Sequence, residues 1–205
     1  MASVGTSPHL VGRAASKASQ RPRILTAITD LVAIRGYART TVRDVAREAG
    51  VSLSTFYEHF ADKEQCFLAA YDRVADEILA AIAEATRDVD DPRKALELGI
   101  ATYVEWGVAH PSDAVTFVVE VHTAGRDALA RRAAIGERFG ELVAMASRAA
   151  ARGRKSTREV PPTAVQAVVY TIDGMMHDHI RRGRIEDLAA VVPAAQEVAL
   201  HILRF

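Results

Sequence analysis

The chain has one cysteine, Cys66, in 205 residues, which excludes an intramolecular disulfide and any zinc site built on cysteines. Its neighbours Phe67 and Leu68 mark it as a structural position. No apolar run continues uninterrupted by charge for the ~18 residues that a membrane-spanning helix needs, and the opening MASVGTSPHLVGRAASKASQ lacks the continuous apolar stretch of a secretory leader. These two lacks predict a cytoplasmic protein with no membrane partner. Net charge is missing as well, because 26 Lys and Arg balance 26 Asp and Glu. Signatures of catalysis are absent too: there is no G-x-S-x-G, no Gly-rich phosphate loop and no H-E-x-x-H. A protein that is not an enzyme and carries no cofactor is expected. What is present is ordinary globular composition, 49% hydrophobic and 25% charged, in a length that holds one small module and one larger core.

The balanced total hides an asymmetry. Residues 1–63 hold nine Lys or Arg against five Asp or Glu, and the sign reverses to seventeen against twenty-one over the remainder. A basic front followed by an acidic rear is expected when one end of a protein meets phosphate and the other does not. The excess is modest, so only a few phosphate contacts per subunit are expected.

Within that basic front, TVRDVAREAGVSLSTFYEHFADK from Thr41 to Lys63 reads as two short helices joined by a tight turn and followed by the start of a third. Thr41 and Asp44 have capping-box spacing, and Val42, Val45, Ala46 and Ala49 line one face. Gly50 stands where the chain must turn through a left-handed conformation. Ser52 caps the second helix, whose Phe56 and Phe60 share one face at i, i+4. Leu53, Ser54, Thr55, Tyr57 and His59 are left to face outward. Asp62, with Gln65 three positions on, caps the next helix and places Lys63 beside a positive helix end, which suits phosphate. A short helix that exposes hydroxyls and aromatics is poorly explained by packing, whereas the second element of a helix-turn-helix lies in the major groove.

The ordered set Gly36, Thr41-Val42, Asp44-Val45-Ala46, Ala49-Gly50-Val51-Ser52, Thr55-Phe56-Tyr57, His59-Phe60 and Lys63-Glu64, with a helix from Arg23 to Gly36 before it, resembles the DNA-binding domain of the tetracycline-repressor (TetR) family of bacterial transcription regulators. The resemblance covers about the first third of the chain. It implies that Thr40, Thr41 and Arg43 approach phosphate and base, that Ser52, Leu53, Ser54 and Thr55 face the groove, and that Tyr57, His59 and Lys63 hold the sugar-phosphate backbone. Leu53 departs from the polar or basic residue common at its position. An apolar side chain there can touch a thymine methyl but cannot make a bidentate bond to guanine, so direct readout shifts to Arg43 and Ser54. Each assignment has a plain alternative: Tyr57 and His59 as core residues, Arg43 and Lys63 as solvated charges.

The rest of the chain reads as helices, giving an all-α protein of about nine helices: a three-helix DNA-binding domain over residues 21–65 and an antiparallel helical bundle over 66–205. Residues 1–20 show no helical period and are expected to be a disordered basic tail, with Arg13 and Lys17 able to follow DNA into a neighbouring groove. A long helix over Ala61 to Thr86 carries Phe67, Ala70, Tyr71, Val74, Ile78 and Ile82 at helical spacing. Another starts at Pro92, with Leu96, Ile100, Tyr103, Val104 and Val108 as its buried face. The β-branched run VTFVVEV within Ser112 to Thr123 favours a strand by composition but is assigned to helix by its helical surroundings. Gly125 to Arg152 follows as a long helix through Leu129, Ile135, Phe139, Leu142, Val143 and Met145. RGRKSTREVPP over Arg152 to Pro162 is then a polar loop.

Two apolar stripes close the chain. Val165, Val169, Ile172 and Met176 belong to a face wider than one core contact requires, and Val191, Ala195, Val198 and Ile202 repeat the helical stripe to the terminus. Packed against their copies as a four-helix bundle, these eight form the homodimer interface that the family resemblance implies. A dimer would place two recognition helices about 34 Å apart on a palindromic site in double-stranded DNA. The middle helices supply a candidate pocket. Tyr71, Tyr103, Trp106 and Phe117 offer aromatic rings, Met145 and Met175 thioethers, and His122, Tyr170 and His177 polar anchors, the mixture that lines an apolar ligand site; each is equally compatible with plain core packing. By resemblance the pocket takes a small hydrophobic effector that releases a repressor from its operator. The alternative is a DNA-binding regulator or architectural protein whose C-terminal domain binds a protein partner and no small ligand, and an open apolar cavity would oppose it. A third possibility, a helical enzyme with a fortuitous turn, predicts no sequence-specific DNA binding. Metal readings are weak on spacing: Asp173 and His177 can meet at i, i+4 as a polar contact, and His110, Glu120 and His122 flank the short helix.

Overall fold

A computed structural model describes residues 8–153 and 160–205, and among them every regular element is helical. Helix α1 spans Pro8–Arg35, α2 Val42–Glu48, α3 Leu53–His59 and α4 Lys63–Thr86. Helices α5 (Pro92–Ala109), α6 (Pro111–Ala114), α7 (Arg126–Gly153), α8 (Pro162–Arg181) and α9 (Val192–Leu203) follow.

The first unit ends at Ala70. Its helices begin and end where local chemistry dictates. At α2, the Thr41 hydroxyl accepts from the Asp44 N–H at 3.2 Å while Asp44 Oδ2 accepts from the Thr41 N–H at 3.3 Å, a complete capping box. Gly50, at φ +62°, reverses the chain, and the Val51 N–H closes the turn on the Ala46 carbonyl at 2.9 Å. Ser52 accepts from the Thr55 N–H at 3.0 Å to start α3, and Asp62 accepts from the Gln65 N–H at 2.8 Å to start α4. Ile24, Ile28 and Val32 of α1, Val45 of α2 and Phe56 of α3 are buried almost completely. A domain boundary is expected after residue 65, yet Cys66, Phe67 and Ala70 are buried and the Phe67 ring meets Tyr37 edge-on at 5.0 Å. The first turns of α4 therefore help complete this core.

The expected disordered tail over residues 1–20 differs from the structure, which carries α1 back to Pro8. Ala14-Ala15-Ser16-Lys17-Ala18 is rich in good helix formers, and Pro8 sits where a proline suits a helix start. Helix propensity leaves no apolar stripe, so a search for periodicity misses it. Residues 1–7 lie outside the described residues, as do the side chains of Arg13 and Lys17, on which the expected DNA-following arm rests.

The second unit begins at Tyr71. Its core gathers Ile78, Val104, Val118, Val121, Val168, Met176, Leu188 and Leu203, each 1% exposed or less; burying such a side chain is worth about 1.5–3 kcal/mol. Helix α5 comes close to its neighbours at Gly107, where an added Cβ would stand 3.1 Å from Met176 Cε and 3.2 Å from Leu188 Cδ2. VTFVVEV is helical as expected, but α6 widens into a π-helical turn over Val115–Val119 and tightens into a 3-10 turn over Glu120–Thr123. Its β-branched crowding is accommodated without a strand. Val108, read as part of the buried face of α5, is 38% exposed, and Leu129 and Met145 of α7 are 44% and 59% exposed. RGRKSTREVPP has residues 154–159 outside the described residues, and Pro162 begins α8 as expected.

The expected dimer face requires correction. Val165, Ile172, Met176, Val191 and Ala195 are buried within this single protomer, and Val169 and Ile172 line a cavity inside the second unit. Only Val198 and Ile202 of the eight stay partly accessible without lining it. An apolar stripe at helical spacing looks the same in sequence whether it meets its own chain or a second copy.

Candidate functional sites

Helix α3 projects a small polar and aromatic surface. Phe56 anchors it with no exposure, while Tyr57 is 56% and Leu53 39% exposed. Large apolar side chains on a seven-residue helix stay this accessible only where packing does not claim them. Ser54 is exposed beside them, its hydroxyl 2.8 Å from that of Ser52, which also lies 2.9 Å from Thr55 Oγ1. Arg43 on α2 is exposed as well. These four positions, Arg43, Leu53, Ser54 and Tyr57, are the exposed ones of the helix pair that the resemblance assigns to DNA.

Three expected contacts are placed differently. Thr40 is 1% exposed and its hydroxyl donates to the Gly36 carbonyl at 2.9 Å, so it ties down the turn after α1 and presents no side chain to a ligand. His59 is half-buried, with Nε2 3.5 Å from Gln20 Oε1 of α1. Lys63 donates to the Tyr37 carbonyl at 2.8 Å, and its ammonium sits 3.9 Å above the Tyr37 ring. Burial pushes the Lys63 ammonium below its ordinary range, and the ring's quadrupole helps hold the cation. Tyr37, absent from the sequence-based set, thus positions Lys63; its place right after Gly36, a glycine at φ +83°, was the available signal. Cys66 is buried and its thiol is pushed up to about 12, which suits a structural position.

The second unit holds a cavity of about 570 Å³, walled by α4, α5, α7 and α8 with Phe117. The lining runs along α4 from Tyr71 to Thr86, about 22 Å at the helical rise. With its lining spread along these helices, the cavity is an elongated tunnel. Its middle is apolar, with Ile82, Leu96, Ile100, Ile135, Phe139 and Leu142, and Gly99 keeps one wall thin. One end carries exposed Asp90, Arg148 and Arg152. The other is bounded by buried Tyr71 and Phe117, whose rings stack at 4.5 Å.

Five of the nine expected pocket residues line this cavity: Tyr71, Tyr103, Phe117, Met145 and Tyr170. The other four do not. Trp106 stacks on His110 at 4.3 Å, His122 meets His177 edge-on at 5.5 Å, and Met175 lies outside the lining. Asp173 does not turn to His177. It pairs with Arg132 and accepts from Tyr103 Oη at 3.3 Å. Burial, followed by the Asp173 charge, holds the Tyr103 phenol well above its ordinary range. Arg132 and Asp173 were missed because nothing in their spacing joins α7 to α8. The histidines and Glu120 considered for a metal are turned to other partners, with Glu120 accepting from the Thr123 hydroxyl.

An all-α chain with a capped helix-turn-helix in one unit and a ligand-sized tunnel in the other defines the class as a two-unit helical regulator. Residues 24–70 match the model of the bacterial regulatory proteins of the tetR family. It is 27% identical over 101 residues to the HTH-type transcriptional activator FasR of Mycolicibacterium smegmatis, covering 49% of this chain and 46% of FasR. The chain spans less than half the length of the curated relatives it matches. In fold it resembles the fatty acid degradation regulator FadR from Bacillus halodurans, at TM-score 0.79 and 18% identity over 87% of this chain and 97% of that one. FadR from Bacillus subtilis, solved in complex with stearoyl-CoA, is similar at TM-score 0.78 and 17% identity, covering 86% and 96%. No described helix is long and apolar enough to cross a membrane.

Proposed function

We propose that this protein is a dimeric, DNA-binding transcription regulator controlled by a long-chain acyl effector, an acyl-CoA thioester. The observation that carries the effector is a mainly apolar cavity of about 570 Å³ whose lining extends along α4, α5, α7 and α8. Arg148 and Arg152 at the exposed end suit the phosphates of a nucleotide headgroup, and the stearoyl-CoA bound to the Bacillus subtilis FadR supports the same reading.

On DNA, α3 enters the major groove with Leu53, Ser54 and Thr55 toward base edges, Arg43 beside them, and Tyr57 on the backbone. Loading the tunnel shifts the protein between states of different operator affinity through α4, by as much as the effector prefers one state over the other. Binding DNA places its work in the bacterial cytoplasm. The open cavity disfavours the alternative of a C-terminal domain that takes only a protein partner.

For the dimer, the outward sides of α8 and α9 remain. Ala167 and Gly174 are exposed on α8, and Val198 and Ile202 are half-buried on α9. A Cβ added at Gly174 meets nothing within 4 Å, so Gly174→Arg should leave the protomer folded and shift light scattering from dimer to monomer. An unchanged dimer would place the interface elsewhere.

The deciding experiment is fluorescence anisotropy on the DNA upstream of the protein's own gene, with and without palmitoyl-CoA. Operator affinity should change at least tenfold with the thioester and stay constant with free coenzyme A. Sequence-specific binding that ignores every acyl-CoA would end the effector reading, and binding to no specific DNA would end both.

A further inference from the structure

At the inner end of the tunnel, four helices each contribute one polar side chain: Tyr71 from α4, Tyr103 from α5, Arg132 from α7 and Asp173 from α8. Asp173 is 9% exposed on an otherwise apolar face, pairs with Arg132 Nη2 through Oδ2, and accepts from Tyr103 through Oδ1 at 3.3 Å. The Arg132 guanidinium also lies 5.7 Å from the Tyr170 ring centroid. A core needs no such group here. Well-packed apolar residues often serve stability as well as a buried ion pair does, and an alkyl end arriving at this point would displace water from two charges and return no hydrogen bond.

We infer that this cluster is a subsite for a neutral oxygen, a hydroxyl or carbonyl carried on the effector's chain far from the group held at the arginine end; the inference rests on the acyl-effector reading above. Arg132 has more donors than its pairing with Asp173 uses, each Asp173 oxygen has lone pairs to spare, and the Tyr103 oxygen can still accept. The ion pair is neutral overall, which selects among arriving groups. A second carboxylate would gain Arg132 but face the Asp173 charge, and an ammonium would meet the reverse. A hydroxyl can accept from Arg132 and donate to Asp173 at once. The effector class is therefore an acyl thioester oxygenated toward its far end, with an ω-hydroxyacyl chain as the simplest case.

The test is isothermal titration of the full-length protein with palmitoyl-CoA, ω-hydroxypalmitoyl-CoA and ω-carboxypalmitoyl-CoA. The hydroxyl form should bind about tenfold more tightly than the unsubstituted one, as expected for a hydrogen bond to a charged partner, and the carboxyl form more weakly than the hydroxyl form. The readout is the ratio of hydroxyl to unsubstituted affinity. Asp173→Asn and Tyr103→Phe should each bring it toward one; if Asp173→Asn does not fold, Tyr103→Phe supplies the result alone. A wild-type ratio of one with both thioesters bound overturns the oxygen subsite and leaves the tunnel reading standing. Tightest binding by the carboxyl form overturns its neutral character. If no thioester binds, both readings fall.

Discussion

The two units handle polar groups and space in opposite ways. In the first, hydroxyls and carboxylates are spent on caps and turns: Thr41 with Asp44, Ser52 with the Thr55 amide, Thr40 with the Gly36 carbonyl. In the second, about 570 Å³ is left unfilled and a charged pair is held against it. A DNA-reading surface must arrive in fixed geometry, because base edges offer donors and acceptors at fixed positions. A ligand site forgoes packing energy to keep room for an occupant, which can return that energy on binding.

The largest effect expected from this contrast lies in the first core. Phe56→Ala should cost about 3–5 kcal/mol, abolishing DNA binding while palmitoyl-CoA titration of the second unit persists; a cost below about 1 kcal/mol in denaturant titration would show that the first unit is not packed as described. Next come the reading positions. Arg43→Ala should lose about 1–3 kcal/mol and relax preference at particular bases, whereas Tyr57→Ala should weaken binding to all sequences alike. Anisotropy on a panel of mutated operators separates the two, and identical profiles would merge their roles. Filling the tunnel probes the other side of the comparison. Ala95→Phe puts a ring among the lining residues and should weaken thioester binding about tenfold, with operator affinity in the absence of ligand within twofold of wild type.

The smallest effects sharpen the account of the caps. Thr41→Ala should cost about 1 kcal/mol in a denaturant melt. It should also alter the acid limb. Hydrogen bonding from the Thr41 hydroxyl, followed by its backbone N–H and the Arg35 and Arg47 charges, holds the Asp44 carboxyl below its ordinary range against some desolvation. A depressed carboxylate pKa stabilises the fold above the unfolded value of about 3.9 and loses that contribution as pH falls through the folded value. Wild type should therefore lose a capping contribution in acid that Thr41→Ala has already largely lost. Parallel acid profiles would mean that the box carries no measurable linkage.

Legibility followed the range of the interactions. Gly50, Ser52 and Asp62 act on neighbours within a few residues, so their spacing sufficed to place α2, α3 and the start of α4. Lys63 was legible as a helix-start cation but not as the partner of Tyr37, 26 positions earlier. In the second unit, aromatic and thioether content pointed to a pocket, yet Trp106 and Met175 fell outside it while Arg132 and Asp173, 41 positions apart, fell inside. Helical periodicity says which face of a helix is apolar. It does not say what that face meets, and for this reason Val165, Ile172 and Met176 read as an interface and lie within the protomer.

By itself, then, the sequence determined the helical class, the caps and turns of the reading motif, and the charge contrast between the chain's two ends, because these depend on neighbours along the chain and on composition. Tertiary structure alone decided that α4, α5, α7 and α8 enclose a tunnel, that an ion pair from distant positions stands at its inner end, and that most of the expected dimer stripe is spent inside. Cavities and long-range ion pairs are set by how helices pack, and many packings satisfy the same apolar pattern.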